Sequence, residues 1–172
     1  MKLFPRTFFA LTALLSASCA RYDVSVNDRV VYTPAPLLMV DEQVADSALR
    51  HCLENHIKKK NITTIAQLQS LSCDTKNIHS LAGLERFTQL TALSLEDNSI
   101  EDISPIGQLT KLEHLTLRNN KIESIASLKP LLLLEVVDIR ENPVTSCNAL
   151  GDIEAQLSVY KATIKAEGIC GR

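Results

Sequence analysis

The residues best suited to chemistry in this chain are its five cysteines and four histidines. Either side chain can bind zinc or take part in catalysis, but only at characteristic spacings or in a converging cluster. The cysteines form no CxxC pair, and His51 and His56 are not at the i, i+4 spacing that places two zinc ligands on one helix face. The sequence also lacks a glycine-rich phosphate loop and a serine nucleophile elbow. It therefore predicts no enzyme, no metal site and no cofactor.

The N-terminal segment, residues 1–18, has the composition of a signal peptide. Two basic residues precede an apolar run at 8–15, and small residues then lead to Cys19. A run this short cannot span a bilayer, which requires about 20 apolar residues. Small residues that end at a cysteine resemble a bacterial lipobox, in which the thiol receives a diacylglycerol and the chain is cut just before it. The resemblance implies a lipid on Cys19, and a conventional cut after Ser18 or Ala20 is the alternative.

Leucine, isoleucine and asparagine recur at a fixed period in the middle of the chain, as the 22-position step from Leu90 to Leu112 illustrates. Within a unit, an LxxLxL segment alternates as a short strand does, and the IxxIxxL segment after the asparagine suits a 3₁₀-like return. Units this short bury their apolar side only against neighbours, so the period predicts a solenoid with a concave parallel sheet. The series is Leu90, Leu93, Leu95, Asn98, Ile100, Ile103, Ile106 and Leu109, then Leu112, Leu115, Leu117, Asn120, Ile122, Ile125, Leu128 and Leu131, and in part Leu134, Val137, Ile139, Asn142 and Val144. The expected fold is a short α/β solenoid of about 3–4 such repeats.

Three asparagines, Asn98, Asn120 and Asn142, stand at the strand exits of successive units. We expect each side-chain amide to be buried and to bond main-chain groups that the sharp turn leaves unpaired. Their expected role is therefore structural and not that of a polar binding site. In the unit before them, Lys76 stands in place of the asparagine and Asn77 adjoins it. The sequence leaves open how that first turn is held.

Helices are predicted on both sides of the repeats, where a solenoid would otherwise expose its apolar ends. One begins at Asp46 or Ser47, and its last turn carries three lysines, which suit the negative end of the helix dipole. A weak contact with anionic lipid headgroups is the alternative role for these lysines. The other helix lies within 148–157. The expected organisation is a signal peptide at 1–18, a lipidated cysteine and tether at 19–40, an N-terminal helical cap at 41–67, the repeats at 68–145 and a C-terminal cap at 146–172.

Four cysteines remain if Cys19 carries a lipid, and an even number suits an oxidising compartment. Cys52 and Cys73 precede or open the repeats, whereas Cys147 and Cys170 follow them. Stacked strands lie about 4.8 Å apart and a disulfide needs Cα atoms within about 7 Å, so pairing across the whole array is disfavoured. We therefore predict the bonds Cys52–Cys73 and Cys147–Cys170.

The outward positions of the strands should form polar columns on the concave face, with acids toward the first repeat and arginines toward the last. Arginine on a rigid strand can hold a carboxylate through two hydrogen bonds, so we expect Arg118 and Arg140 to contact a protein partner. The alternative is that both are solvated charges paired with Glu96, Asp138 or Glu141. The predicted partner-binding residues are Glu96, His114, Thr116, Arg118, Asp138 and Arg140.

The repeated pattern LxxLxLxxNxIxxIxxLxxL resembles internalin-type leucine-rich repeats. Its flanks, a cysteine-bearing helix before GLxxFTQLTxL and a closing segment with two cysteines, resemble the caps of exported bacterial leucine-rich-repeat lipoproteins. These resemblances imply a right-handed stack with a disulfide-closed C-terminal cap, and a non-enzymatic module that binds another protein in or on the bacterial envelope. By resemblance to lipoprotein sorting, Ala20 after Cys19 implies the outer membrane. A soluble periplasmic or secreted protein is the alternative.

Bulk composition narrows the class of partner. A net charge of −2 and an aromatic content of 4% give no sign of a nucleic-acid partner, and so few aromatics also disfavour stacking on sugars. We expect a monomer that binds a protein partner and contacts the membrane through its N-terminal lipid. The alternative function is a structural component of the envelope that contacts an assembly, a glycan or peptidoglycan.

Overall fold

A computed structural model describes strand residues 24–26 and 29–32, residues 38 and 40, and the ranges 43–159 and 161–171. The predicted signal peptide and Cys19 lie outside the described residues. The chain divides into a small N-terminal unit, Met1–Ala35, and a main unit, Pro36–Arg172. In the small unit, strand β1 (Val24–Val26) pairs antiparallel with strand β2 (Arg29–Tyr32). The other described elements belong to the main unit.

Five strands form one parallel sheet in the main unit, and each strand pairs with the next along the chain. They are β3 (Ser70–Ser72), β4 (Ala92–Ser94), β5 (His114–Thr116), β6 (Val136–Asp138) and β7 (Thr163–Lys165). The central residues of the five strands stand in register across the sheet, as Leu71, Leu93, Leu115, Val137 and Ile164. The first four of these side chains are buried. This arrangement confirms the parallel solenoid that the 22-residue period predicts.

Short 3₁₀ turns pack on one another along the return segments, at Leu84–Arg86, Ser104–Gln108 and Ala126–Leu128. Each turn buries one aliphatic side chain, and these are Leu84, Ile106 and Leu128. They occupy the last apolar position of the IxxIxxL segment and join the strand leucines in one continuous core. Because each fully buried leucine or isoleucine contributes about 1.5–3 kcal/mol, successive coils hold one another through this shared interior.

Helix α1 (Ser47–Lys60) is fixed to the repeats by a shared carboxylate. Asp46 is the N-cap, and its Oδ1 accepts hydrogen bonds from two amides of the first helical turn at 2.9 and 3.0 Å. Its Oδ2 accepts from the amides of His79 (2.9 Å) and Ser80 (3.2 Å) in the first repeat. Asp46 therefore caps the helix and also joins it to the first coil.

The apolar face of α1 extends the core beyond the first repeat. Its buried residues are Leu49, Cys52, Leu53 and Ile57, as predicted, and His56 on the same face is half-buried. Leu38 and Val40, which the sequence assigns to the tether, are also partly buried against this core. The amide of Leu38 donates to the carbonyl of Ile62 at 2.9 Å. Contact with the main core therefore begins before residue 41.

Two disulfides join the end segments to the repeats. Cys52 of α1 bonds to Cys73, which follows β3, with the Cα atoms 5.9 Å apart. Cys147 begins helix α2 (Cys147–Ser158) and bonds to Cys170, with the Cα atoms 5.7 Å apart. These are the two pairs that the sequence predicts. Helix α2 buries Leu150, Ile153 and Leu157, which are the residues expected on its inner face.

Strand β7 is not predicted by the sequence pattern. It follows α2 and pairs Thr163 with Val136 of β6, a step of 27 positions that departs from the repeat period. The sequence predicts a helix and a disulfide in the segment 146–172, and the structure shows that this segment also adds a fifth strand to the sheet. The sheet therefore extends one strand past the last repeat of the series.

The three asparagines at the strand exits form a ladder along the stack, and each bridges two successive coils. In the case of Asn120, Nδ2 donates to the carbonyls of Leu95 (2.9 Å) and Leu117 (3.0 Å), and Oδ1 accepts from the amide of Ile100 (3.1 Å). Leu95 and Ile100 belong to the preceding coil, whereas Leu117 belongs to the same coil as Asn120. Asn98 and Asn142 make the equivalent bonds. The backbone groups at each turn are satisfied from the coil that follows.

The first turn, where Lys76 replaces the asparagine, is held by the next coil. The Oδ1 atom of Asn98 accepts from the amides of Lys76 (3.1 Å) and Ile78 (3.0 Å). Asn77 does not take over the ladder position and instead has a left-handed backbone, with φ of 59°. The ladder therefore needs an asparagine after this turn but none within it.

Candidate partner-binding face

The register of β3–β6 places the outward side chains in columns, and we call this surface the sheet face. The columns are Ser70, Ala92, His114 and Val136, then Ser72, Ser94, Thr116 and Asp138, and just past the strands Asp74, Glu96, Arg118 and Arg140. The residues predicted to bind a partner, Glu96, His114, Thr116, Arg118, Asp138 and Arg140, all belong to these columns. The leucines between them point into the core. A single rigid element therefore presents every predicted contact residue.

Arg118 lies between two carboxylates on neighbouring coils. Its Nη2 and Nε donate to Oε1 of Glu141 at 2.6 and 3.0 Å, and its Nη1 donates to Oε1 of Glu96 at 3.3 Å. The hydrogen bond and charge of Glu141, followed by the charge of Glu96, raise the pKa of Arg118 above its usual value. The side chains of Arg118 and Glu141 are 38% and 52% exposed, so water screens the pair and a partner carboxylate could replace Glu141.

Arg140 holds Asp138 at two points at the C-terminal end of the sheet face. Nε lies 2.9 Å from Oδ1, and Nη2 lies 2.6 Å from Oδ2. Burial of Asp138 would raise its pKa, but the hydrogen bonds and charge of Arg140, with the charge of Lys165, outweigh burial and lower the pKa below its usual value. Glu167 is a further partner, with Oε2 3.6 Å from Nε of Arg140. Both predicted contact arginines are thus already paired, and Lys165 and Glu167 enter the site with the unpredicted β7.

The carboxylate of Asp74, at the opposite end of the sheet face, is satisfied by neighbouring hydroxyls and an amide. Asp74 accepts from the hydroxyls of Ser72 (2.8 Å) and Ser94 (2.6 Å) and from the amide of Glu96 (2.8 Å). This carboxylate therefore fixes the geometry of β3 and β4 more than it offers a free charge to a partner.

A depression of about 330 Å³ opens on the sheet face beside the last turn of α1. Its floor is made of small side chains, Ser70, Ser72, Ala92 and Ser94, and its rim includes His56 and Lys60 of α1 and His114 of β5. Burial, followed by the charges of Lys60 and Lys59, lowers the pKa of His56 below 6.5. The sequence predicts each of these residues on its own element. The sequence does not predict that α1 lies beside the sheet face, because that placement is set by tertiary packing.

The four histidines do not assemble into a metal site among the described residues. Within 43–159 and 161–171, no group of three histidine, cysteine, aspartate or glutamate residues is placed to hold an ion. In the same part of the chain, no helix has the length and apolar character needed to cross a membrane.

The stacked coils and their asparagine contacts define a leucine-rich-repeat architecture, and comparison with known proteins agrees. Residues 88–130 match the family model for leucine-rich repeats in two copies. The fold is similar to that of an internalin (inlF) from Listeria monocytogenes, with 23% identity, a TM-score of 0.64 and coverage of 76% of this chain and 38% of the internalin. It is also similar to internalin C2 from the same organism, with 24% identity, a TM-score of 0.62 and coverage of 76% and 58%. The chain thus contains leucine-rich repeats and shares the internalin fold.

These matches cover only part of the two internalins. The aligned region spans 38% and 58% of the two internalins, and at these identities the likeness concerns the fold alone. No curated protein sequence matches the chain significantly. The partner and the location must therefore be argued from the residues themselves.

Proposed function

We propose that this protein is a non-enzymatic binding module that presents its sheet face to another protein in the bacterial envelope. The observation that supports this proposal is the in-register stacking of β3–β6, which gathers polar and charged side chains on one rigid surface. Leucine-rich repeats commonly use such extended surfaces to bind proteins. The columns of the sheet face contain no phenylalanine, tyrosine or tryptophan, so they offer no platform for stacking a glycan.

The proposed contacts are Glu96, His114, Thr116, Arg118, Asp138 and Arg140. Arg118 contributes more readily than Arg140, because its partner Glu141 is half-exposed and can be exchanged for a carboxylate of the partner, whereas Arg140 holds the buried Asp138. Arg140 shapes the C-terminal end of the surface through Asp138. Helices α1 and α2 would act as caps that cover the two apolar ends of a monomeric stack.

Capture of a partner tests the binding function. The full chain, the double variant Arg118→Gln with Arg140→Gln, and the control Lys121→Gln with Lys129→Gln would each be immobilised and exposed to envelope extract. Each variant removes two positive charges, but the control charges lie outside the columns of the sheet face. We expect the wild type and the control to retain the same protein, and the double variant to lose it. Equal retention by all three would remove these arginines from the binding surface.

We propose that the module is exported and held at the outer membrane by a lipid on Cys19. The support is the signal-peptide composition of 1–18, the small residues before Cys19, and two disulfides, which form in oxidising compartments. A soluble periplasmic or secreted protein is the alternative. When cells that express the chain are grown with a labelled fatty acid, the wild type should carry the label and Cys19→Ser should not. An unlabelled wild type with a mature N-terminus at Cys19 or Arg21 would establish the soluble alternative.

A further inference from the structure

The depression beside α1 has the dimensions of a short stretch of extended polypeptide. It crosses β3, β4 and β5, and because neighbouring strands lie about 4.8 Å apart, that path is about 10 Å long. An extended chain advances about 3.3 Å per residue, so about three residues would fill it. The depth comes from the small side chains of the first two repeats, since the next repeat carries His114 in the same column as Ala92.

The rim of the depression carries positive charge that nearby groups do not offset. The last turn of α1 holds Lys58, Lys59 and Lys60, which are exposed. Within 43–159 and 161–171, no carboxylate lies within salt-bridge distance of Lys60. The pKa of His56 is lowered by burial and then by Lys60 and Lys59, with no acid acting in the opposite direction. A ligand that supplies a carboxylate here would therefore gain a favourable interaction without displacing an existing ion pair.

The opposite end of the sheet face offers fewer unpaired charges to a partner. Arg140 already holds a buried carboxylate, and Arg118 already pairs with two carboxylates. A carboxylate of the partner must therefore compete with Asp138, Glu141 and Glu96. Asp74, which follows strand β3 at the depression, has its oxygens occupied by Ser72 and Ser94. Charge and shape together thus favour the depression as the place where a partner inserts.

We propose that the depression binds an extended segment of the protein partner that places an aspartate or glutamate at Lys60 and a small or apolar side chain over Ala92. This inference rests on the proposed binding function and specifies the chemistry of the segment that the sheet face recognises. Most of the exposed surface that lines the depression is apolar, which reduces the screening of an ion pair at its rim. The hydroxyl of Ser70 can bond the backbone of the segment, and that of Ser72, which donates to Asp74, can accept from a backbone amide.

A pair of labelled peptides of alternating aspartate and alanine, or asparagine and alanine, tests the proposal against the full chain by fluorescence anisotropy. We expect the aspartate peptide to bind more tightly. Lys60→Gln should weaken it by about threefold to tenfold through loss of one partly desolvated charge pair. Ala92→His should weaken it by about tenfold, because the imidazole fills the floor. That substitution places a residue already accommodated at His114 in the same column, so the fold should be retained.

Lys121→Gln is the matched control, since it removes an exposed lysine outside the columns and should leave peptide binding unchanged. Equal binding of both peptides, or full binding by Ala92→His, would overturn the proposal. Binding of wild type and Ala92→His alike to phosphatidylglycerol vesicles, with no aspartate-peptide binding, would assign the lysines to lipid instead. The Arg118 and Arg140 double variant should still bind the peptide. If that variant loses partner capture while the wild type fails to bind the peptide, the binding function is retained and this site is rejected.

Discussion

Asn120 satisfies four backbone groups with one side-chain amide, and this makes it a sensitive residue in the stack. Its substitution by alanine would leave the amide of Ile100 without its partner. The carbonyls of Leu95, Leu117 and Arg118 would each lose one of two hydrogen bonds. We expect Asn120→Ala to lower the free energy of unfolding by about 1–3 kcal/mol, as measured by urea denaturation. Asn55→Ala, at an exposed position of α1, is the control and should have little effect. Equal stability of Asn120→Ala and wild type would contradict the ladder geometry.

Asp138 should make the stability of the domain depend on pH. Its pKa in the folded chain lies below the ordinary value of 3.8, so it contributes stability above that value, and the contribution is lost as the pH falls through the folded pKa. We expect Asp138→Asn to be less stable than wild type at about pH 6, and the difference to shrink by about pH 2.5. Urea denaturation at the two pH values measures it. A difference that stays constant would mean that Arg140 does not depress this pKa.

At the residue scale, the sequence predicts the side chains that repeat and not those that depart from the period. The spacing identifies Asn98, Asn120 and Asn142, and it also names the acids that pair with Arg118 and Arg140. It does not reveal that Asn98 holds the turn of Lys76, because that contact is made from the following coil. Charge pairs between equivalent positions of neighbouring coils follow from the register, whereas contacts at a position that departs from the repeat, and partners that arrive with β7, require the fold.

Among the connecting elements, the loop at Gly83 fits closely against the chain that leads into α1. Gly83 has φ of +95°, and a Cβ there would lie 2.5 Å from the carbonyl oxygen of Gln43 and 2.8 Å from Cα of Val44. We expect Gly83→Ala to destabilise the domain by more than about 1 kcal/mol, because backbone strain and this clash add. Gly168→Ala is the matched control, with φ of +81° and no atom within 4 Å of the new Cβ. The midpoint of thermal unfolding measures the difference. Equal midpoints for the two variants would show that the clash is relieved at no cost.

The two disulfides hold the end elements, and neither bond lies in the middle of the stack. The bonds Cys52–Cys73 and Cys147–Cys170 span 21 and 23 positions, for which the chain-entropy model gives about 3 kcal/mol each. We expect reduction to increase hydrogen exchange first in α1, α2 and β7 and last in β4 and β5. Mass spectrometry of peptides from the reduced and oxidised protein measures this order. A uniform loss of protection would mean that the stack unfolds as one unit.

At the element scale, periodic segments can be predicted and singular ones cannot. The apolar spacing of α1 and α2 and the alternation in the repeats correspond to the observed elements. Strand β7 is only Thr163–Lys165, and it reaches the sheet after a helix that interrupts the period. Three residues carry too little pattern to be recognised alone, so its position is determined by the open edge of β6 and by the bond from Cys147 to Cys170.

As a whole molecule, the main unit is a one-dimensional stack in which each coil is completed by its neighbours. The period alone therefore predicts the sheet and the columns of the sheet face. The depression could not be predicted in the same way, because it lies between α1 and the strands and depends on how far the last helical turn reaches over Ser70. A surface made by one repeating element follows from the sequence, and a surface between two elements requires their packing.

Photo-crosslinking from two positions of one coil tests the central claim that the sheet face meets a protein partner. A benzophenone-bearing residue would replace either His114, exposed on the sheet face, or Ala126, exposed in the 3₁₀ turn of the same coil. After irradiation in envelope extract, we predict an adduct with one protein from position 114 and none from position 126. Adducts from position 126 alone, or the same adducts from both positions, would contradict the assignment of the binding surface to the sheet face.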